Sequence, residues 1–228
     1  MIIFGKKVCI YALEKYARNV KKIYLSKENV LPAKLFERFR SRVVFLENRL
    51  AQSMSRGGNH QGILLEMDDF EPATIAEIRK GNFLVMLDGL TDVGNIGAIV
   101  RSSYAMGVDA VVVSGLKQIN YAAVTRTSAG ALLDMPMVLT HNALDAINEL
   151  KQSGFVFYGA TVGGRSADRV IFSKKRVLVL GSEDNGISRK VQKKIDKTIS
   201  IEMKRDFDSL NVSAAAAILI HRMGYAVE

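Results

Sequence analysis

The chain is poor in the residues that cross-link or stiffen a fold. Its 228 residues include one cysteine, Cys9, three prolines and no tryptophan. A lone thiol closes no internal disulfide, and His60, His141 and His221 stand at no metal-ligand spacing, so neither a disulfide scaffold nor a metal site is expected. No window approaches the run of about 20 apolar residues that spans a bilayer. The opening MIIFGKKVCIYALEKY lacks the charged start, sustained apolar stretch and small-residue cleavage site of a secretory signal. These absences lead us to expect a soluble, cytoplasmic protein with no membrane partner. Core-forming material is plentiful: 48% of residues are hydrophobic and 24% charged, which excludes disordered, collagenous and low-complexity classes.

Negative charge is scarce at one end. Residues 1–60 hold 13 Lys and Arg against four Glu and no Asp, so this quarter of the chain carries the whole net charge of +9. The remaining 168 residues balance 19 basic against 19 acidic. Such concentration favours a polyanionic partner, and nucleic acid is the best candidate.

Hydrophobic patterning divides the chain into two designs. Residues 1–67 read as a small basic α/β unit. A helix carries Val8, Tyr11, Ala12, Leu13 and Tyr16, and strands are expected at 20–26, 43–46 and 61–67. A second helix is expected at 32–40, a short helical run follows to Ser55, and Arg56–Asn59 forms a turn cluster. The acidic, proline-bearing 68–72 opens a linker that we extend to 80. From 81 to 228, short apolar runs alternate with helical stretches. Strands are expected at 83–87, 110–114, 135–140, 155–161, 177–181 and 198–203. Helices are expected at 96–106, 122–129, 143–152 and 188–195, and from 211 to the end. Near-continuous apolar runs suit strands buried on both faces, so this part should be a six-stranded parallel α/β sheet with its site at the carboxyl ends of the strands.

Three loops follow three of those strands: 88–97, 181–188 and 206–213. None is GxGxxG or a Walker sequence, so dinucleotide and P-loop readings lack their fingerprint. Each loop alone could be an ordinary strand–helix turn, and Asn95, Ser209 and Asn211 could be ordinary helix caps. Ile201 and Leu210 could be plain core residues, and Arg101 could pair with Asp88 or Asp92 on a helix surface. Converging on one sheet, the loops with Asn95, Arg101, Glu183, Ser209 and Asn211 describe a polar site.

The segments LDGLTDVGNIGAIVRSSYAMGV, VLVLGSEDNGIS and ISIEMKRDFDSLNVSAAAAILIHRM resemble, in order and spacing, the three motifs of the SpoU (TrmH) branch of the SPOUT RNA methyltransferases. The resemblance covers 83–224. The preceding HQGI at 60–63 and the basic front unit resemble the linker and RNA-binding domain of RlmB-type 23S rRNA guanosine 2′-O-methyltransferases. In one departure, Asn185 stands where the second motif commonly has glutamate.

The resemblance implies a trefoil knot, formed by tucking the C-terminal segment through a loop, and S-adenosylmethionine as cofactor. It implies Gly181, Ile201 and Leu210 as cofactor contacts with Thr161 and Met203 nearby, and Asn95, Arg101, Glu183, Ser209 and Asn211 as the catalytic set. The implied reaction moves a methyl group to a ribose 2′-hydroxyl of RNA, most closely 23S rRNA. Arg101 is implied as proton acceptor, but a guanidinium with a pKa above ~12 stays charged. Anchoring phosphate and stabilising the developing alkoxide is the physically easier task for it. A homodimer is implied as well, and the last helix, apolar almost all round its first three turns, suits burial either in the monomer or against a second copy. The rival readings are a tRNA ribose methyltransferase and a non-catalytic RNA-binding protein on the same fold.

Overall fold

A computed structural model describes residues 1–206 and 209–227. Phe207 and Asp208 of the third loop, and Glu228 at the end of the last expected helix, lie outside the described residues.

The front of the chain forms β1 (Ile2–Phe4), α1 (Lys6–Lys15), β2 (Val20–Leu25), α2 (Ala33–Phe39), β3 (Val43–Phe45), α3 (Asn48–Met54) and β4 (Ile63–Met67). These strands make a four-stranded sheet in the order β1-β4-β2-β3, antiparallel except for β2 with β3. β1 has no counterpart in the sequence reading. Three residues are too short to show a period, and what makes them a strand is β4, more than fifty residues downstream, which pairs Ile2 to Glu66 and Phe4 to Leu64. Cys9 is fully buried beneath this sheet, and desolvation pushes its thiol pKa up, which makes it a packing residue.

The segment after β4 is docked onto its surroundings. Phe70 stacks on Tyr121 at 4.8 Å, and Ala73 N–H donates to the Met137 carbonyl. Thr74 and Glu77 form a capping box around the short helix α4 (Ile75–Ile78), which lies inside the expected linker.

The rest comprises β5 (Phe83–Asp88), α5 (Val93–Ala105), β6 (Ala110–Ser114), α6 (Tyr121–Thr127), β7 (Met137–Thr140), α7 (Ala143–Gln152), β8 (Val156–Ser166), β9 (Arg176–Gly181), α8 (Arg189–Gln192), β10 (Lys197–Ser200) and α9 (Val212–Tyr225). Six strands form an all-parallel sheet in the order β10-β8-β9-β5-β6-β7. Every residue of β5 and β6 is buried, as their unbroken apolar runs require in a sheet covered on both faces.

Several boundaries differ from the sequence reading, each for a local reason. β7 begins at Met137, because Pro136 precedes it and a 3-10 turn at Ala131–Leu133 leads in. α5 begins at Val93, capped by Asp92, whose carboxylate accepts from Asn95 N–H at 2.6 Å. α8 is one turn long. β10 stops at Ser200, and β8 runs on to Ser166. Thr198 pairs with Gly159 but Ile199 pairs with Arg165, so five residues of β8 find no place in the ladder. That excursion is pinned where Ser200 Oγ donates to the Gly164 carbonyl at 2.7 Å, and a Cβ on Gly164 would stand 2.7 Å from Ile199.

The two sheets meet through α6 and the 3-10 turn after it. Ala122 and Leu133 pack on the front unit's core, and Tyr11 and Tyr16 both donate their hydroxyls to the Asp134 carboxylate.

Candidate active site

The loops after β5 and β9 and the start of α9 bring three of the five expected catalytic side chains into contact. Asn211 Nδ2 donates to Glu183 Oε1 at 2.8 Å and to Asn95 Oδ1 at 3.1 Å, while Asn95 Nδ2 donates to the same Glu183 oxygen at 3.3 Å. Each amide uses both its ends, so the ring of bonds fixes both orientations. Asn211 also caps α9, its Oδ1 accepting from Ser213 and Ala214 N–H. Cap and site are therefore one residue, with the oxygen serving the helix and the nitrogen serving Glu183. Asn95 is not a cap, since Asp92 holds that position, and its side chain is available to the network.

Ser209 and Leu210 precede Asn211 and turn the chain into a neighbouring cavity of about 430 Å³. Its walls include Thr161, Ile201, Met203, Ser209 and Leu210, which gathers four of the five expected cofactor residues with one expected catalytic residue. The excursion of β8 builds one wall, and the segment leaving β10 builds another. Leu210 is 37% exposed, which is not the behaviour of a core residue; Ile201 is partly buried against the sheet core. A mostly apolar pocket with hydroxyls at Thr161, Ser200 and Ser209, and with Arg205 and Asp206 also in its lining, suits a flat group with a few polar edges such as a purine.

Gly181, the fifth expected cofactor residue, lies at the end of β9. It does not line the cavity; it ends β9 where the next loop folds back on it. Ser182 and Gly186 exchange both backbone hydrogen bonds, at 3.1 and 2.9 Å, and a Cβ on Gly181 would fall 1.9 Å from the Gly186 carbonyl carbon. The absent side chain is what lets this loop close and present Glu183. Asn185, the departure in the second motif, is exposed, and its backbone N–H donates to Ser182 Oγ, so the Glu183 network forms without it.

Arg101 lies exposed on α5 and, among the described residues, makes no hydrogen bond or ion pair. The acids that could have neutralised it are engaged elsewhere. Asp92 caps α5, and Asp88 accepts from Ser114 Oγ at 3.0 Å and from Ser188 N–H at 2.8 Å. Asp88 is the positioning residue that sequence reasoning missed. Only 4% exposed, it ties the ends of β5 and β6 to the loop carrying Glu183. A carboxylate closing an otherwise apolar strand was the available signal.

No group of three or more metal-ligating side chains exists among the described residues, and no helix there is long and apolar enough to cross a membrane.

The model of the SpoU rRNA methylase family matches residues 82–221, and that of the RNA 2′-O ribose methyltransferase substrate-binding domain matches residues 2–73. An uncharacterised tRNA/rRNA methyltransferase of Archaeoglobus fulgidus is 33% identical over 157 residues, 68% of this chain and 70% of its own length. A second, from Synechocystis, is 31% identical over 190 residues; the match takes in 78% of this chain but only about half (49%) of that relative. Among solved structures, the SpoU methyltransferase AviRb from Streptomyces viridochromogenes, crystallised with AdoMet, superposes with a TM-score of 0.78 at 22% identity, covering 98% of this chain and 89% of that one. An AdoMet-bound rRNA methyltransferase from Sinorhizobium meliloti gives 0.77 at 20% identity, with 97% and 85% covered.

Proposed function

Because the chain belongs to the SpoU rRNA methylase family, we propose that it transfers a methyl group from S-adenosylmethionine to a ribose 2′-hydroxyl of RNA, on a guanosine of 23S rRNA. The observation that carries this reading is the continuity of two features: the Asn95–Glu183–Asn211 network and the apolar cavity adjoin through Ser209 and Leu210. One can hold a nucleoside-bearing cofactor while the other positions a hydroxyl.

When bound, the cofactor supplies a methyl group on a positively charged sulfur. Ile201, Met203, Leu210 and Leu219 give the pocket its apolar walls and exclude water from them. Glu183, held by two amide donors, stiffens the rim on which the ribose must sit. A 2′-hydroxyl that took the methyl would give its proton up to solvent, the sulfur keeping the electrons of the bond it released, and negative charge would gather on the oxygen beforehand. Arg101, which makes no hydrogen bond or ion pair among the described residues, stabilises that charge while gripping a backbone phosphate. Positioning of this kind supplies much of the acceleration in such a displacement.

Two structural expectations belong to the same proposal. After β10 at the sheet edge, the chain returns to pack α9 against α5 and β9 in the middle of the molecule, which supports the tucked, knotted threading. α9 buries Val212, Ala216, Leu219, Ile220 and Met223 but leaves Ala214, Ile218, His221 and Tyr225 exposed along one stripe, which supports a homodimer seated there. The division into a basic RNA-binding unit (1–67), a linker (68–80) and a catalytic unit (81–228) follows the charge distribution.

The test is methylation of 23S rRNA transcripts with labelled S-adenosylmethionine, followed by mapping of the alkali-resistant linkages that 2′-O-methylation creates. One resistant linkage at a guanosine is expected. Methylation of tRNA alone would move the substrate to the rival class, and saturable RNA binding with no cofactor binding would make the protein a scaffold.

A further inference from the structure

The seam between the two sheets carries a second feature that the active site does not use. Arg126, on α6, is exposed, and among the described residues it makes no hydrogen bond or ion pair. Its guanidinium sits over the Phe4 ring, 5.1 Å from the centroid. The ring is backed by Gly58, where a Cβ would approach it to 2.5 Å, so Phe4 is a fixed plate and Arg126 lies upon it. Two cavities of about 480 Å³ each are lined by both members of this pair. One is reached by Arg56 and Asn120, the other by Lys6, Lys7 and Gln61, and neither is lined by a carboxylate. Met1, on the wall of the first cavity, pairs its N-terminal amine with Asp69. Among the described residues, three of the four non-glycine positions with positive φ, namely Arg56, Gln61 and Ala129, stand on these two rims. Strained backbone gathers where surrounding structure holds a site in shape.

Resting on the reading of the protein as an RNA methyltransferase, we infer that this seam is where the RNA is gripped, and that it takes an unpaired nucleotide. The nucleotide's base stacks on the open side of the Arg126 guanidinium, and its flanking phosphates lie toward Lys6, Lys7 and Arg56. Arginine planes and aromatic rings stack bases whose faces are free, which a paired helix does not offer. The acid-free lining matches a polyanion. The position also suits the reaction. Thr127, next to Arg126, donates its hydroxyl to the Val93 carbonyl at 3.0 Å, and its side chain fills the space a Cβ on Gly97 would need, so α6 abuts the turn of α5 that carries Asn95. The grip therefore belongs to both units: the front unit supplies Phe4 and the lysines, the catalytic unit supplies the stacking cation.

The experiment measures binding of the full-length protein, without cofactor, to a fluorescent single-stranded RNA of about 12 nucleotides and to the same strand fully paired. Cofactor binding is followed separately by calorimetry. Arg126→Ala should weaken single-strand binding about tenfold and make the salt dependence shallower by about 0.7 for each phosphate no longer neutralised, with cofactor affinity unchanged. Arg126→Lys should restore the salt slope but not the affinity, since it keeps the charge and loses the plane. Lys7→Ala, at an exposed side chain, should reduce the slope and weaken paired and unpaired RNA alike. Single-strand affinity of Arg126→Ala within about twofold of wild type, against the tenfold expected of a stacked base, would overturn the inference, as would equal affinity for paired and unpaired RNA. Failure of methyl transfer with these binding changes intact would overturn the proposed activity and leave the grip standing.

Discussion

Asn211 performs two tasks with opposite ends of one amide, so a substitution can separate them. Asn211→Asp keeps an oxygen where Ser213 and Ala214 N–H donate, and a carboxylate caps a helix about as well as an amide. The stability of α9 should therefore change by less than about 0.5 kcal/mol. The other end changes from donor to acceptor and faces the Glu183 oxygen it formerly bonded at 2.8 Å. One bond to a charged acceptor and one to the Asn95 oxygen are lost and the two exposed carboxylates repel, so the network opens, at a cost in stability that solvent screening holds to about 1 kcal/mol. If that network holds the reacting ribose, single-turnover methylation should fall about a hundredfold while the melting temperature falls by only about 2–4 °C. Two facing carboxylates raise one another's pKa, so the loss should shrink as pH falls and one of them takes up a proton. Asn211→Ala should lose the cap as well, about 1 kcal/mol of further stability, together with the activity. Methylation by Asn211→Asp within about threefold of wild type, less than 1 kcal/mol in barrier, would refute the role assigned to the network.

Arg101→Ala should cost about 3 kcal/mol in the transition state, a hundredfold in turnover, with cofactor affinity unchanged by calorimetry; Arg101→Lys should not recover it, since a point charge does not reproduce the planar fork. Gly181→Val should lower melting temperature, cofactor affinity and turnover together, because its side chain collides with the Gly186–Ile187 backbone; loss of cofactor affinity at unchanged melting temperature would contradict this. Asp88→Asn should destabilise by about 2 kcal/mol in chemical denaturation, since the amide can turn only one acceptor toward Ser114 and Ser188. Burial would by itself raise the Asp134 carboxyl, but hydrogen bonds from Tyr11 and Tyr16 outweigh it and hold its pKa below the ordinary value. A carboxyl depressed in the folded state stabilises above its unfolded pKa, and that contribution is lost as pH falls through the folded one. Asp134→Asn should accordingly flatten the acid limb of the melting-temperature profile, and an unchanged limb would remove the clasp from the stability of the seam.

The central strands of the parallel sheet were legible in the sequence, because runs such as 83–87 and 110–114 are apolar without interruption and only a sheet covered on both faces accepts them. The sequence by itself also determined the charge of the front unit and three loops bearing Asn95, Glu183 and Asn211, since these depend on residue type and local order. Position in space was decided elsewhere. β1 exists because β4 pairs with it, and Asn95 is free to meet Glu183 because Asp92 took the cap. The cavity exists because β8 skips five residues against β10, a slip that two adjacent glycines permit and the pairing of distant strands enforces. The need for glycine at 181 was not legible locally either, since it is set by a backbone five residues away that folds back upon it. The seam around Arg126 and Phe4 was likewise out of reach of local reading. Each of the two is unremarkable on its own element, and only the docking of one unit on the other stacks the cation on the ring.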